Sequence, residues 1–403
     1  MKNNNSIQTE IDNDVRENYN NSFTQQKYEA FLKEVHPTFD SKIDFRIAET
    51  PVFVSKELMV EIMGLFEDIK VVLSEEGFAK KMEKAVPPQY IVPNEDEKSA
   101  FIAIDFAVCR DESGKLFPQL IEMQGIASLF CYQRHLCNAY RNHFNVPSHF
   151  KQFFGGLTDE TFVEELKDLI IGDANPENVV IMDIEPMKQK TRIDFIYTVQ
   201  DLGIEAICIT EVIQEGKKLF YMKDGVKTPI HRIYNRVIFD ELELREDIKP
   251  QFDMTSEVDV KWFAHPNWFF KISKYSMPFI DSKYVPKTDF LSDLDEYPAD
   301  LENYVLKPLF SFAGSGVIFD VKKEDLDAVE DRENFILQRK VTYEELVPTP
   351  DIKAKSEIRL LCTWKDELKP IIALARLSKG KMMGVDFNKE KTWVGGSAVF
   401  FEE

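Results

Sequence analysis

The stretch Tyr304 to Asp320, YVLKPLFSFAGSGVIFD, joins a lysine on an apolar strand to a glycine-bearing turn and a second apolar strand. That pattern can wrap a polyphosphate. Lys307 can place a compact positive charge beside phosphate oxygens, and Gly314 and Gly316 let successive backbone N–H groups point into an anion-binding concavity. The same letters also fit a β-hairpin whose glycines serve only the turn. Upstream, SAFIAIDFAVCRDESGKLFPQLIEMQG reads as two apolar strands joined by the turn Asp111 to Lys115. Each carries a carboxylate among apolar neighbours: Asp105 beside Ile104 and Phe106, Glu122 beside Ile121 and Met123, with Gln124 two residues further along the same face. A lone strand carboxylate usually points to solvent. Here both faces are apolar, so an unpaired carboxylate would be costly, and a divalent cation held by Asp105, Glu122 and Gln124 is the economical remedy. Magnesium suits such a set, because it prefers oxygen ligands and takes one or two carboxylates plus substrate phosphates.

Other candidates read two ways. Lys274 lies in WFAHPNWFFKISKYSMPFI, where the aromatics fit core packing and the lysine fits either core or phosphate contact. Arg232 and Arg236 on HRIYNRVIFDEL fit carboxylate or phosphate binding and fit exposed edge-strand positions equally well. FILQRKV, ending in Gln338, Arg339, Lys340 and Val341, suits either a hinge whose backbone meets an adenine edge or an ordinary connecting strand.

These residues need a large scaffold, and 403 residues suffice for about two or three domains or lobes. The 50 basic against 70 acidic residues give a formal charge of −20, which repels nucleic acid and anionic membrane at long range. Any anionic ligand must therefore be held by a local cluster of lysines and arginines, with a metal ion. Five dispersed cysteines without a CxxC pair favour reduced thiols in a cytosolic protein over a disulfide framework or zinc knuckle. The N-terminus lacks the apolar core of a signal peptide, and no later segment approaches about 18 uninterrupted apolar residues, so a soluble cytoplasmic protein is expected. A homodimer is left open.

The Asn- and charge-rich tail up to about Ser22 is expected to be disordered or loosely held. A short helix YEAFLKEV follows, and Ser55 caps an amphipathic helix, KELMVEIMGLFEDIKVVLSEE. After Gly125 a helix runs from about Ser128 to His143, and a second is capped by Thr158 or Asp159. NVVIMDIEP, KTRIDFIYTVQDLG and EAICITEVI read as a βαβ unit with Gly203 as helix cap, which predicts parallel sheet. A hairpin turns at Asp224-Gly225, and the C-terminus reads as antiparallel strands turning at Asp366 and Lys379-Gly380, then bending at Gly395-Gly396.

With these pieces in order, the chain resembles the circularly permuted branch of the ATP-grasp superfamily, the branch of the glutathionylspermidine synthetase domain. Asp105 followed by Glu122-Met123-Gln124 is similar to the family's Asp and Glu-x-Asn strands. Lys274 in SKYSMP and Lys307 in KPLFSFAGSG look like its two nucleotide lysines, Gln338-Arg339 like its Gln-Glu hinge, and Arg376 with Gly395-Gly396 like its closing strands. The resemblance covers roughly residues 101–401. Gln124 stands where the family has Asn, Ala103 where it has an arginine, and Arg339 where it has the hinge glutamate.

The resemblance implies an α/β fold, ATP-grasp and circularly permuted, with a Rossmann-like parallel-sheet lobe over residues 176–265. A tail would span 1–25, a helical segment with the metal strands 26–175, and the nucleotide lobe 266–403. It implies an ATP-dependent carboxylate–amine ligase acting through an acyl phosphate, with a small-molecule carboxylate and amine as substrates and no nucleic acid or membrane partner. Mg²⁺ would sit on Asp105, Glu122 and Gln124. ATP would meet Lys274 and Lys307, a loop with Ser311, Gly314, Ser315 and Gly316, and the hinge from Gln338 to Val341. Arg376 and Arg236 would stabilise the acyl phosphate or orient the acid. A phosphotransferase on the same fold, or a catalytically weak ATP-binding protein, are the other readings.

Overall fold

The computed structural model describes residues 13–36, 44–310, 316–381, 383–384 and 388–403. The chain enters through the helices Asn13–Ser22 and Gln25–Val35, the latter capped by the Thr24 side chain accepting from the Lys27 N–H. Strand β1 (Val52–Val54) precedes the helix Lys56–Leu73, whose Ser55 cap accepts from the Leu58 N–H at 3.4 Å, as the sequence predicts. Strands β2 (Phe101–Arg110) and β3 (Leu116–Gln124) form a hairpin across a turn in which the Asp111 carboxylate accepts from the Ser113 and Lys115 N–H groups. The helices Phe130–His143 and Asp159–Ile170 follow. Then come β4 (Val179–Asp183), the helix Arg192–Leu202 ended by left-handed Gly203 at φ 74°, and β5 (Glu205–Cys208). Strands β6 (Ile213–Glu215), β7 (Lys218–Lys223) and β8 (Val226–Ile230) precede β9 (Arg232–Asn235) and β10 (Lys261–Phe263). The last seven are β11 (Thr288–Phe290), β12 (Tyr304–Pro308), β13 (Phe335–Arg339), β14 (Glu345–Val347), β15 (Ala354–Trp364), β16 (Leu368–Ser378) and β17 (Gly395–Phe401).

These strands make four sheets. The main sheet has seven strands, ordered β1-β17-β16-β15-β2-β3 with β14 also on β15, and only its β1–β17 pair is parallel. It thus joins residues 52–124 to residues 345–401 in one body, across the segments that the sequence separates as 26–175 and 266–403. A parallel sheet, β10-β9-β4-β5, confirms the βαβ expectation. The antiparallel sheets β11-β13-β12 and β6-β7-β8 complete the fold.

Alternation along β2 assigns its two faces. Phe101 and Ala103 join a core with the helices Gln25–Val35 and Phe130–His143, whereas Ile102, Ile104 and Phe106 join one with the helix Lys56–Leu73. Asp105 belongs to the first face.

The tail differs from expectation. Within residues 13–22, Arg16 and Tyr19 lie on one helix face and are fully buried. The Arg16 guanidinium donates to Thr50 Oγ1 and to the Pro51 carbonyl and lies over the Phe53 ring at 5.0 Å, and Tyr19 donates to the Glu49 carbonyl. Two anchors on one helix face hold a segment whose composition alone looks soluble. Residues 1–12 lie outside the described residues. Among the described residues no helix is long and apolar enough to cross a membrane.

Candidate functional site

The floor of the site is the face of β2, β3, β15 and β16 that carries Asp105. Strand register sets Asp105 directly opposite both Glu122 and Arg359, and Glu357 opposite Arg376. Cross-strand partners share a face, so five ionisable side chains converge. Asp105 is fully buried. Arg359 grips it in a fork, Nε to Oδ1 and Nη2 to Oδ2, both at 2.5 Å. Arg376 Nη2 donates to Asp105 Oδ2 at 2.8 Å and lies 2.5 Å from Glu357 Oε1, whose other oxygen accepts from Tyr343 Oη at 2.5 Å. Glu122 Oε1 accepts from Gln124 Nε2 at 2.8 Å and sits 3.9 Å from Arg359 Nη2. Sequence reasoning missed Tyr343, Glu357 and Arg359. For the latter two a signal was present: two charged residues two apart in the otherwise apolar SEIRLLCTW, the same anomaly that singled out Asp105.

Two lysines come down on this floor. Lys307, on β12, donates from Nζ to Gln338 Oε1 on the adjacent β13 at 2.5 Å and reaches the Ile121 carbonyl at 3.4 Å. Gln338 Nε2 in turn donates to Thr288 Oγ1 at 3.0 Å. Lys274 is brought in by a close backbone approach at the end of β3. The Gly125 N–H donates to the Ile272 carbonyl at 2.8 Å, and a Cβ on residue 125 would stand 2.1 Å from the Trp268 carbonyl oxygen, so only glycine permits this contact. Ser273 then starts the turn Lys274–Phe279 by accepting from the Tyr275 N–H.

The charges read each other. Burial raises the Glu122 carboxyl, but Lys274, Arg359, Arg376 and Lys307 together outweigh it and hold it below the usual range. Burial pushes the Lys307 ammonium down to about 8, with Glu122 opposing and Lys274 adding to the fall. Burial also lowers Lys274, against the pull of Glu122. Glu357 is raised by burial despite Arg376 beside it.

The remaining expected residues are distributed around this centre. Arg339 and Lys340 direct their side chains outward, Arg339 towards Asp300 at 3.4 Å and Lys340 to the Glu302 carbonyl at 2.6 Å. Their backbone N–H groups already donate to the Lys287 and Asn303 carbonyls, and Val341 follows partly buried. Ser311, Gly314 and Ser315 lie outside the described residues. Gly316 has φ 71°, and Leu306 and Ile318 exchange backbone hydrogen bonds, which sets Ile318 against β12.

Arg236 stands apart from the floor, beyond β9 at the carboxyl edge of the parallel sheet. It lies 5.9 Å over the Phe195 ring, its Nε buried without a hydrogen-bond partner among the described residues, and it acts on Asp183 and Asp194. Arg232 is not an anion ligand: its Nε and Nη2 donate to the Ile170 and Leu169 carbonyls at 2.8 and 2.7 Å, closing the C-terminus of the helix Asp159–Ile170. The N-terminus of the helix Phe130–His143 is likewise closed by this chain itself. Asp194 accepts from the Leu129 and Tyr132 N–H groups at 2.8 and 3.1 Å, so a carboxylate of this chain already occupies that terminus. Gly395 and Gly396 serve packing: a Cβ on residue 395 would stand 2.2 Å from the Arg46 carbonyl oxygen, to which the Gly396 N–H donates.

The expected magnesium ligands are adjacent, yet they do not fit the ion as arranged. Both Asp105 oxygens are occupied by guanidinium groups, and Gln124 offers Glu122 its amide N–H. Magnesium demands a near-octahedral oxygen shell at about 2.0–2.1 Å, which the Arg359 fork obstructs. Among the described residues no group of three His, Cys, Asp or Glu side chains is placed to share a metal. A buried Asp105 needs a cation, and Arg359 and Arg376, 254 and 271 residues away, provide it.

No family model and no curated protein matches this sequence. A solved structure does: that of a glutathione synthetase-like effector from Globodera pallida in its apo form, with a TM-score of 0.55 and 10% identity, covering 88% of this chain and 93% of that one. The fold is glutathione synthetase-like. At this identity the likeness is one of architecture, a mixed α/β body with several sheets, and it extends over nearly the whole described chain. Within the glutathione synthetase-like fold, the charged floor lies on the main sheet beneath the three-stranded sheet β11-β13-β12.

Proposed function

We propose that the protein is an ATP-dependent carboxylate–amine ligase of the circularly permuted ATP-grasp type. One observation carries this reading: Glu122, from an early strand, meets Lys274 and Lys307, from late segments, between the small sheet and the main sheet. Lys307 and Lys274 neutralise the phosphate oxygens, and adenine lies along the hinge at Val341. Gln338 positions Lys307 by accepting from its ammonium. A substrate carboxylate oxygen attacks the γ-phosphorus, the bond to the β–γ bridging oxygen breaks, and ADP leaves with the electron pair. The amine nitrogen then attacks the acyl carbon and loses a proton, and phosphate departs. Such a site needs no nucleophilic side chain, only positioning and charge neutralisation. Arg376, with 43% of its side chain exposed above the floor, stabilises the acyl phosphate.

Phosphate release from ATP, screened over amino acids, peptides and polyamines, tests the proposal. Release that requires both an acid and an amine supports it, and release without an amine indicates a phosphotransferase. A second reading, ATP binding without turnover, is favoured by the closed state of Asp105 and by Ala103 at the position where the synthetases carry an arginine. Binding without release in any mixture would establish that reading instead.

A further inference from the structure

We infer that Arg359 takes the place of the divalent cation in this site, so that the chain binds a nucleoside triphosphate without a metal. This rests on the nucleotide reading of the Lys274–Lys307 cluster. Three observations point the same way. The Arg359 guanidinium engages both Asp105 oxygens and approaches Glu122 Oε1, the two carboxylates a cation would bridge, and only 11% of its side chain is exposed. Arg359 is held there by register, since β15 pairs with β2 at that residue pair, and a planar fork matched to a carboxylate is the preferred geometry of this side chain. The balance of charge favours an anion over a further cation: Lys274, Lys307, Arg359 and Arg376 outnumber Asp105, Glu122 and Glu357 by one before any ligand enters.

A divalent ion added to this set would meet two guanidinium groups and two ammonium groups at close range, with no carboxylate oxygen of Asp105 left to receive it. A polyphosphate meets the same cations as partners. Ala103, where the resemblance places an arginine, faces Leu361, while Arg359 enters from the neighbouring strand directly opposite Asp105. The guanidinium is thus present one strand over, and in contact with the metal-site aspartate.

The test is calorimetric titration of the full chain with ATP in EDTA and in excess magnesium. The expected result is a dissociation constant that differs by less than about threefold between the two buffers. Arg359→Met should weaken binding in EDTA by about tenfold or more, and magnesium should then recover most of that loss, because the carboxylates are freed to hold it. Arg359→Lys keeps the charge and should stay indifferent to magnesium, so a folding defect in Arg359→Met does not decide the matter. Wild-type binding that collapses in EDTA and returns with magnesium overturns the inference while leaving the nucleotide reading intact. Failure to bind ATP in either buffer overturns both.

Discussion

The antiparallel floor and the carboxyl edge of the parallel sheet both bury carboxylates, and they neutralise them differently. On the floor, Asp105 and Glu357 are matched by the guanidinium groups of Arg359 and Arg376 at hydrogen-bond distance. At the parallel edge, Asp183 accepts one backbone N–H, from Ile184 at 2.7 Å, and burial pushes its carboxyl up to about 7 with Arg236 opposing only in part. Antiparallel pairing sets side chains from distant sequence directly opposite one another, which allows charge to answer charge. Across the parallel ladder Asp183 stands opposite Cys208, which carries no positive charge, and the proton becomes the counter-ion.

Asp105→Ala gives the largest effect. It leaves Arg359 buried without its partner, and a loss of about 3–5 kcal/mol in urea denaturation is expected, the cost of an uncompensated buried charge. A loss below about 1 kcal/mol would erase the contrast. Asp183→Asn acts in the opposite direction. The folded carboxyl titrates near 7 and the unfolded one near 3.8, so the folded state holds the extra proton and stability falls as pH rises through that window. The variant should therefore be more stable than wild type by about 2–4 kcal/mol at pH 8 and should flatten the decline between pH 4 and 7. An unchanged pH profile would place the neutralising charge elsewhere.

Lys307→Met separates stability from binding on the floor itself. Its folded pKa of about 8 lies below the ordinary lysine value of 10.5, so wild-type stability rises with pH between those values as the unfolded chain keeps the proton longer. The variant should lose that rise and gain about 1–3 kcal/mol at pH 7, while ATP affinity falls by about tenfold or more. Stabilisation without weaker ATP binding would remove Lys307 from the site. The smallest effect belongs to the helix-closing arginine beside the parallel sheet: Arg232→Met should lower stability by about 1–2 kcal/mol without changing ATP binding.

Much of this arrangement was legible along single strands. Asp105 and Glu122 announced themselves as charges in apolar runs, Lys307 by its strand and glycine turn, and Asp224-Gly225, Ser55 and Gly203 by turn and cap chemistry that depends on neighbours alone. The helix Asn13–Ser22 was not legible, because two buried residues, Arg16 and Tyr19, outweigh a polar composition only when the strand end near Thr50 and Pro51 is there to receive them. Arg232 looked identical to Arg236 in sequence, yet one closes a helix and the other faces buried carboxylates.

Outside the helix Asn13–Ser22, the amino-acid sequence by itself determined the main strands and helices, their turns, and which strands carry charge, because periodicity, capping and glycine conformations are local. Only the tertiary structure decided what each charge meets. Ion pairing falls off within a few ångströms, and whether Asp105 faces a metal or Arg359 depends on β15 lying beside β2, a register that no stretch of either strand contains.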